Sequence, residues 1–132
     1  INQKCAHFSP QVKPWLPVTQ SYKTKNVETE KNDQNSPYNL HKNLIHLRKN
    51  HKALHKGGCT LIDGLPQKIL GYARSYKNEK FAVFLNFSGK EIPLDISGAL
   101  IFSTNGRKGV ANTTNLVIGP WEGLTIKPKA EI

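Results

Sequence analysis

Beyond residue 58 the chain is a succession of short β-forming runs, and this pattern restricts the fold more than any other feature. Cys59–Asp63, Lys68–Ser75, Lys80–Asn86, Glu91–Leu94, Ala99–Thr104, Asn115–Ile118 and Leu124–Lys127 are rich in Val, Ile, Leu, Phe, Tyr and Thr. Between them lie Asp63-Gly64, Lys77-Asn78, Ser88-Gly89, Ser97-Gly98 and Asn105-Gly106, dipeptides that favour chain reversal. Strands this short and this closely spaced predict an antiparallel β-sandwich. Phe81, Val83, Leu85 and Phe87 fall on one face of their strand, with Ala82 and Phe84 on the other. A strand that is apolar on both faces belongs in the middle of a sheet.

Upstream, the periodicity changes. Leu40, Leu44, Leu47, His51 and Leu54 recur at spacings of three and four, which predicts one amphipathic helix over residues 37–55. Ser36 is suited to cap it and Pro37 to open its first turn, while Gly57-Gly58 ends it. One helix cannot enclose its own apolar stripe, so that stripe needs a surface supplied from elsewhere. Residues 1–35 are expected to be irregular. Pro10, Pro14 and Pro17 interrupt any helix, and Phe8, Val12, Trp15, Leu16, Val18 and Tyr22 form an apolar set without regular period. Such long irregular stretches are usually functional loops or pieces separated from their context. The division expected is residues 1–56, a loop and a helix, followed by residues 57–132, an all-β domain. The chain has 132 residues, no methionine, and isoleucine at position 1, which suggests a segment of a longer protein.

Lys and Arg number 19 against 9 Asp and Glu, a net charge of +10. A surplus of this size draws polyanions. However, only Arg48, Arg74 and Arg107 are arginine, the residue suited to bidentate base reading, and the lysines are dispersed. No nucleic-acid partner is expected, and a lysine-rich binding module is the distant alternative. No apolar run approaches the ~20 residues of a membrane span. Whether a membrane anchor exists elsewhere is left open.

Few residues are arranged as chemistry requires. Cys5 and Cys59 lack metal-site spacing, and either one disulfide or two free thiols is compatible with them. His51 and His55 share a helical face, but lysine stands where a zinc protease needs its glutamate. His51 reads better as a hydrogen-bonded boundary residue, and neither a metal nor a cofactor is expected. Most carboxylates lie in polar turns or at strand ends, where a solvated surface is the default, and no residue qualifies as catalytic. Asn86-Phe87-Ser88 and Asn112-Thr113-Thr114 are sequons, making Asn86 and Asn112 the glycosylation candidates. Trp15 and Trp121 are able to stack on a sugar or a base, although packing is the commoner use of tryptophan.

Several motifs nevertheless fall in a familiar order. Lys13-Pro14-Trp15-Leu16-Pro17-Val18, with Tyr22 and Asn26-Val27, resembles the stretch after the last barrel strand of α-glucosidases in glycoside hydrolase family 13, the α-amylase family. Ser36-Pro37-Tyr38-Asn39-Leu40 through Arg48-Lys49 is similar to the final barrel helix of that family, and Ala53-Leu54 and Gly57 to its exit. Ala82-Val83-Phe84-Leu85-Asn86-Phe87-Ser88 resembles a strand of its C-terminal β-domain. Gly119-Pro120-Trp121-Glu122-Gly123-Leu124 is similar to a motif near the end of insect-type maltases.

The resemblance implies an α+β fragment: the loop and last helix of a (β/α)8 barrel, followed by a C-terminal antiparallel β-sandwich. It implies a parent that is a retaining α-glucosidase acting on maltose- or sucrose-type substrates in a secreted or extracellular setting. Its three catalytic acids would all precede this region, so the fragment alone is expected to be inactive, with the remainder of the barrel as its partner. The substrate-binding residues are not assigned. Ala6-His7-Phe8 stands where the family usually has Ala-Gly-Phe. This departure keeps open a non-catalytic relative, such as an amino-acid transporter heavy subunit or a maltase-like receptor.

Overall fold

A computed structural model describes residues 15–107 and 115–129. The chain divides into two compact units, Ile1–Ile45 and His46–Ile132. No helix among the described residues is long and apolar enough to cross a membrane.

In the first unit, a 3-10 turn at Gln20–Lys23 precedes helix α1, Val27–Asn32. The expectation of irregular chain fails here. Asn26 caps α1 by accepting from the Thr29 N–H at 3.0 Å, and its Nδ2 donates to the Tyr22 carbonyl at 2.9 Å. A polar sequence therefore becomes helical through capping rather than through a hydrophobic stripe. Helix α2, Pro37–Asn50, starts as its sequence indicates. Ser36 Oγ accepts from the Asn39 N–H at 3.2 Å and donates to the Glu30 carbonyl at 2.6 Å.

The helix expected to run to residue 55 breaks at His51, which is extended (φ −122°, ψ 114°) and precedes a separate short helix α3, Lys52–Lys56. Helix α3 packs on the sheet of the second unit. The division between the two units falls between Ile45 and His46, within the span of α2. Gly57 ends α3 with an extended backbone (φ −69°). Its glycine is required by crowding, since a Cβ would collide with the carbonyls of Ala53 and Ser75.

All seven expected strands form: β1 Gly58–Leu61, β2 Ile69–Tyr76, β3 Glu79–Asn86, β4 Ile92–Leu94, β5 Gly98–Ser103, β6 Leu116–Ile118 and β7 Gly123–Pro128. Five make one antiparallel sheet in the order β1-β2-β3-β7-β5, and β4 pairs with β6 in a separate ribbon. Strand β3 is central, as its two apolar faces require. Ala82 and Phe84 of β3, Leu124 and Ile126 of β7, Leu100 of β5, and Leu94, Leu116 and Ile118 of the ribbon form the buried core. On the opposite face of β3, Phe81 is buried, while Phe87, just beyond the end of the strand, is 55% exposed.

Candidate functional site

Among the described residues, polar clusters around Glu79, Glu122 and Asn86 and one exposed turn concentrate the polar and aromatic side chains of the second unit. The first joins α3 to the start of β3. Glu79 Oε2 accepts the Ala53 N–H at 2.7 Å, and Oε1 lies 2.7 Å from His51 Nδ1. The His51 ring meets Phe81 edge-on, with centroids 4.7 Å apart. Arg74 donates to the Ala53 and Leu54 carbonyls at 3.4 and 3.5 Å. The Ala53 backbone hydrogen bond, followed by the His51 hydrogen bond, holds the Glu79 carboxyl below its ordinary value. A general acid needs the opposite shift. This cluster fixes a helix end, and it makes His51 the hydrogen-bonded boundary histidine that its place in the stripe indicates.

The second cluster surrounds Glu122, which is 2% exposed. Oε1 accepts from Ser103 Oγ at 2.5 Å and Arg107 Nε at 2.8 Å. Oε2 accepts from Arg107 Nη2 and the Gly119 N–H, both at 2.7 Å. The solvated surface expected for this carboxylate is thus overturned: two side chains and one backbone amide replace water. No sequence motif announces this arrangement, because its partners lie 3 to 19 residues away.

Asn86 is the third centre. Its Nδ2 donates to the Lys90 and Gly119 carbonyls, both at 2.7 Å, and its Oδ1 accepts from the Ser88 N–H at 2.9 Å. This glycosylation candidate is 3% exposed, and both of its amide hydrogens are in use. Asn112 lies outside the described residues, as does Cys5. Cys59 is a free, exposed thiol.

The exposed turn is Gly119–Glu122, closed by the Glu122 N–H on the Gly119 carbonyl at 3.3 Å. Trp121, in its third position, has φ +54° and is 69% exposed. Trp15 is 90% exposed. Neither tryptophan is a core residue, contrary to their commoner use.

In the first unit, two open hollows of about 520 and 510 Å³ flank Glu30, one lined by Tyr38, His41 and Ile45, the other by Val18, Tyr22 and Val27. Glu30 itself accepts the Tyr38 N–H at 3.2 Å. The other described carboxylates, Glu28, Asp33, Asp63, Glu91 and Asp95, are exposed. Among the described residues there is no group of three His, Cys, Asp or Glu placed to hold a metal.

With the geometry in view, comparison with known proteins is informative. Residues 2–57 match the α-amylase catalytic-domain family. The α-glucosidase of Schizosaccharomyces pombe is 30% identical over 121 residues, covering 88% of this chain and 21% of that protein. An oligo-1,6-glucosidase of Parageobacillus thermoglucosidasius is 36% identical over 91 residues, covering 69% of this chain and 16% of that protein. The crystal structure of the trehalulose synthase MutB from Pseudomonas mesoacidophila superposes with a TM-score of 0.78 at 28% identity, covering 89% of this chain and 22% of that one. The chain thus spans about a fifth of the length of these relatives, and over that span it is similar to members of the α-amylase family, glycoside hydrolase family 13.

Proposed function

We propose that this chain is the C-terminal part of an α-glucosidase that cleaves terminal α-glucosidic bonds of maltose- or sucrose-type substrates. One observation carries the reading: alignment with an α-glucosidase extends along 88% of this chain yet accounts for 21% of that relative. In this reading the first unit and α2 supply the last loop and helix of a (β/α)8 barrel. The five-stranded sheet and the β4–β6 ribbon form the two layers of a C-terminal sandwich. Leu44 and Ile45, 37% and 54% exposed on α2, would lie against the barrel wall, which is the remaining partner.

Retaining hydrolysis needs two carboxyl groups ~5 Å apart across the glycosidic bond. Here the buried Glu122 and the partly exposed Glu79 each serve the fold. The chain alone is therefore expected to be inert, with the acids supplied by the parent, which we place outside the cell. Ala6-His7-Phe8 favours one rival, a non-catalytic parent.

The test is to express the gene with its upstream coding sequence and assay a chromogenic α-glucoside beside the 132-residue chain. Hydrolysis by the long form alone is the expected result. Hydrolysis by the short chain would overturn the assignment of its carboxylates, and a long form lacking the acidic pair would establish the non-catalytic rival.

A further inference from the structure

We propose that Trp121 is the platform of a saccharide-binding site specific for α-linked gluco-oligosaccharides. The turn carries the inference. Pro120 and Trp121 are its central residues, and a positive φ at the third position ordinarily calls for glycine or asparagine. A bulky side chain at φ +54° is a backbone outlier. It is held there from both sides: Asn86 Nδ2 donates to the Gly119 carbonyl at 2.7 Å, the Trp121 N–H donates to the Ser88 carbonyl at 3.0 Å, and the next residue is the buried, four-bonded Glu122. An over-determined strained residue of this kind is an indicator of function.

What the turn presents is an indole 69% exposed. Its Nε1 lies over Gly89, 3.7 Å from where a Cβ would stand, so the adjoining loop offers a shelf without a side chain. The loops around it contribute Ser88, Lys90 and Pro120, which do not form the contiguous apolar centre of a protein interface. A flat, fixed ring beside polar groups suits the apolar face of a pyranose, with hydroxyls left to water and to the loop. Phe87, 55% exposed on the same loop, is a second aromatic available to a longer oligosaccharide.

The choice of α-linked glucose rests on the α-glucosidase reading; the existence of the site does not. Maltotetraose is the probe, titrated into the 15N-labelled 132-residue chain, whose two tryptophans give two indole N–H signals. Saturable movement of the Trp121 signal is expected, with a Kd on the order of 1 mM and no movement of Trp15. Cellotetraose should move it at least tenfold more weakly. Trp121→Gly suits the φ of the turn. It should abolish binding while leaving Tm within about 2 °C of the parent chain, and Trp121→Tyr should retain part of the affinity.

An indole signal unmoved at saturating sugar would overturn the proposal. So would a Trp121→Gly variant that binds undiminished or melts well below the parent chain, which would make the indole packing. Movement with protein concentration in the absence of sugar would overturn it in favour of self-association. Because binding is read on a chain without catalytic acids, a catalytically dead parent leaves the proposal standing, and an active parent does not rescue it.

Discussion

The Glu79 carboxylate accepts the backbone N–H of Ala53 at 2.7 Å from 26 residues away in sequence, and so performs for α3 the task that its own N-cap residue does not. His51 makes no side-chain cap; its ring is engaged by the other oxygen of the same carboxylate. One side chain at the start of β3 thus satisfies a helix end and holds the preceding histidine.

This relationship gives a pH dependence of definite sign. The carboxyl of Glu79 is held below the ordinary 4.5, mainly by the Ala53 N–H and then by His51. A depressed carboxylate stabilises the fold fully above the unfolded-state pKa and loses that contribution as pH falls through the folded value. Glu79→Gln should lower Tm at pH 6–7, and the gap between variant and parent chain should close progressively below about pH 4.5. Thermal melts at a series of pH values read this directly. A gap that widens on acidification would contradict the assignment.

Gly57 offers a purely steric prediction. A methyl group there would press on the Ala53 and Ser75 carbonyls, so that α3 would have to shift from β2. Gly57→Ala should cost about 1–3 kcal/mol, seen as a lower urea midpoint at unchanged slope. Gly58→Ala, where a Cβ meets nothing within 4 Å, is the neutral comparison.

These two residues also show where sequence reading succeeds and stops. The β-forming runs and the turn dipeptides between them located all seven strands, because both are local properties, and the two apolar faces of residues 81–87 placed β3 at the centre of the sheet. The break at His51 was illegible because its cause, Glu79, lies 28 residues away. Helix α1 was missed because a side chain, Asn26, and not an apolar period sets it up. Glu122 was misjudged because Ser103 and Arg107 reach it only after β5 and β7 have paired. The motifs around Trp121 were visible, but its positive φ was not.

The Glu122–Arg107 pair should be strongly coupled. The Glu122 side chain is 1% exposed and that of Arg107 40%. Removing the carboxylate strands Ser103 and the Gly119 amide as well as the guanidinium. Glu122→Gln should cost about 3 kcal/mol, and Arg107→Met a similar or smaller amount, since Ser103 and Gly119 still solvate the acid. In a double-mutant cycle by urea unfolding, the double variant should be at least about 1 kcal/mol more stable than additivity predicts. Strict additivity would mean that the two charges do not sense one another.

The last prediction concerns modification. An N-linked glycan replaces one hydrogen of an asparagine Nδ2, and Asn86 uses both of its hydrogens, on the Lys90 and Gly119 carbonyls. Linkage there would break one of those bonds and force a sugar into a site that is 3% open. It would also release the Gly119 carbonyl from the turn that carries Trp121, or the Lys90 carbonyl from the facing loop. Expressed through a eukaryotic secretory pathway, the folded chain should therefore carry an unmodified Asn86, which peptide mass spectrometry would establish. Asn86→Ala should be destabilised by about 3 kcal/mol, for the lost bonds and the carbonyls left behind. A stable chain fully glycosylated at Asn86 would require a different arrangement of the β3–β4 loop.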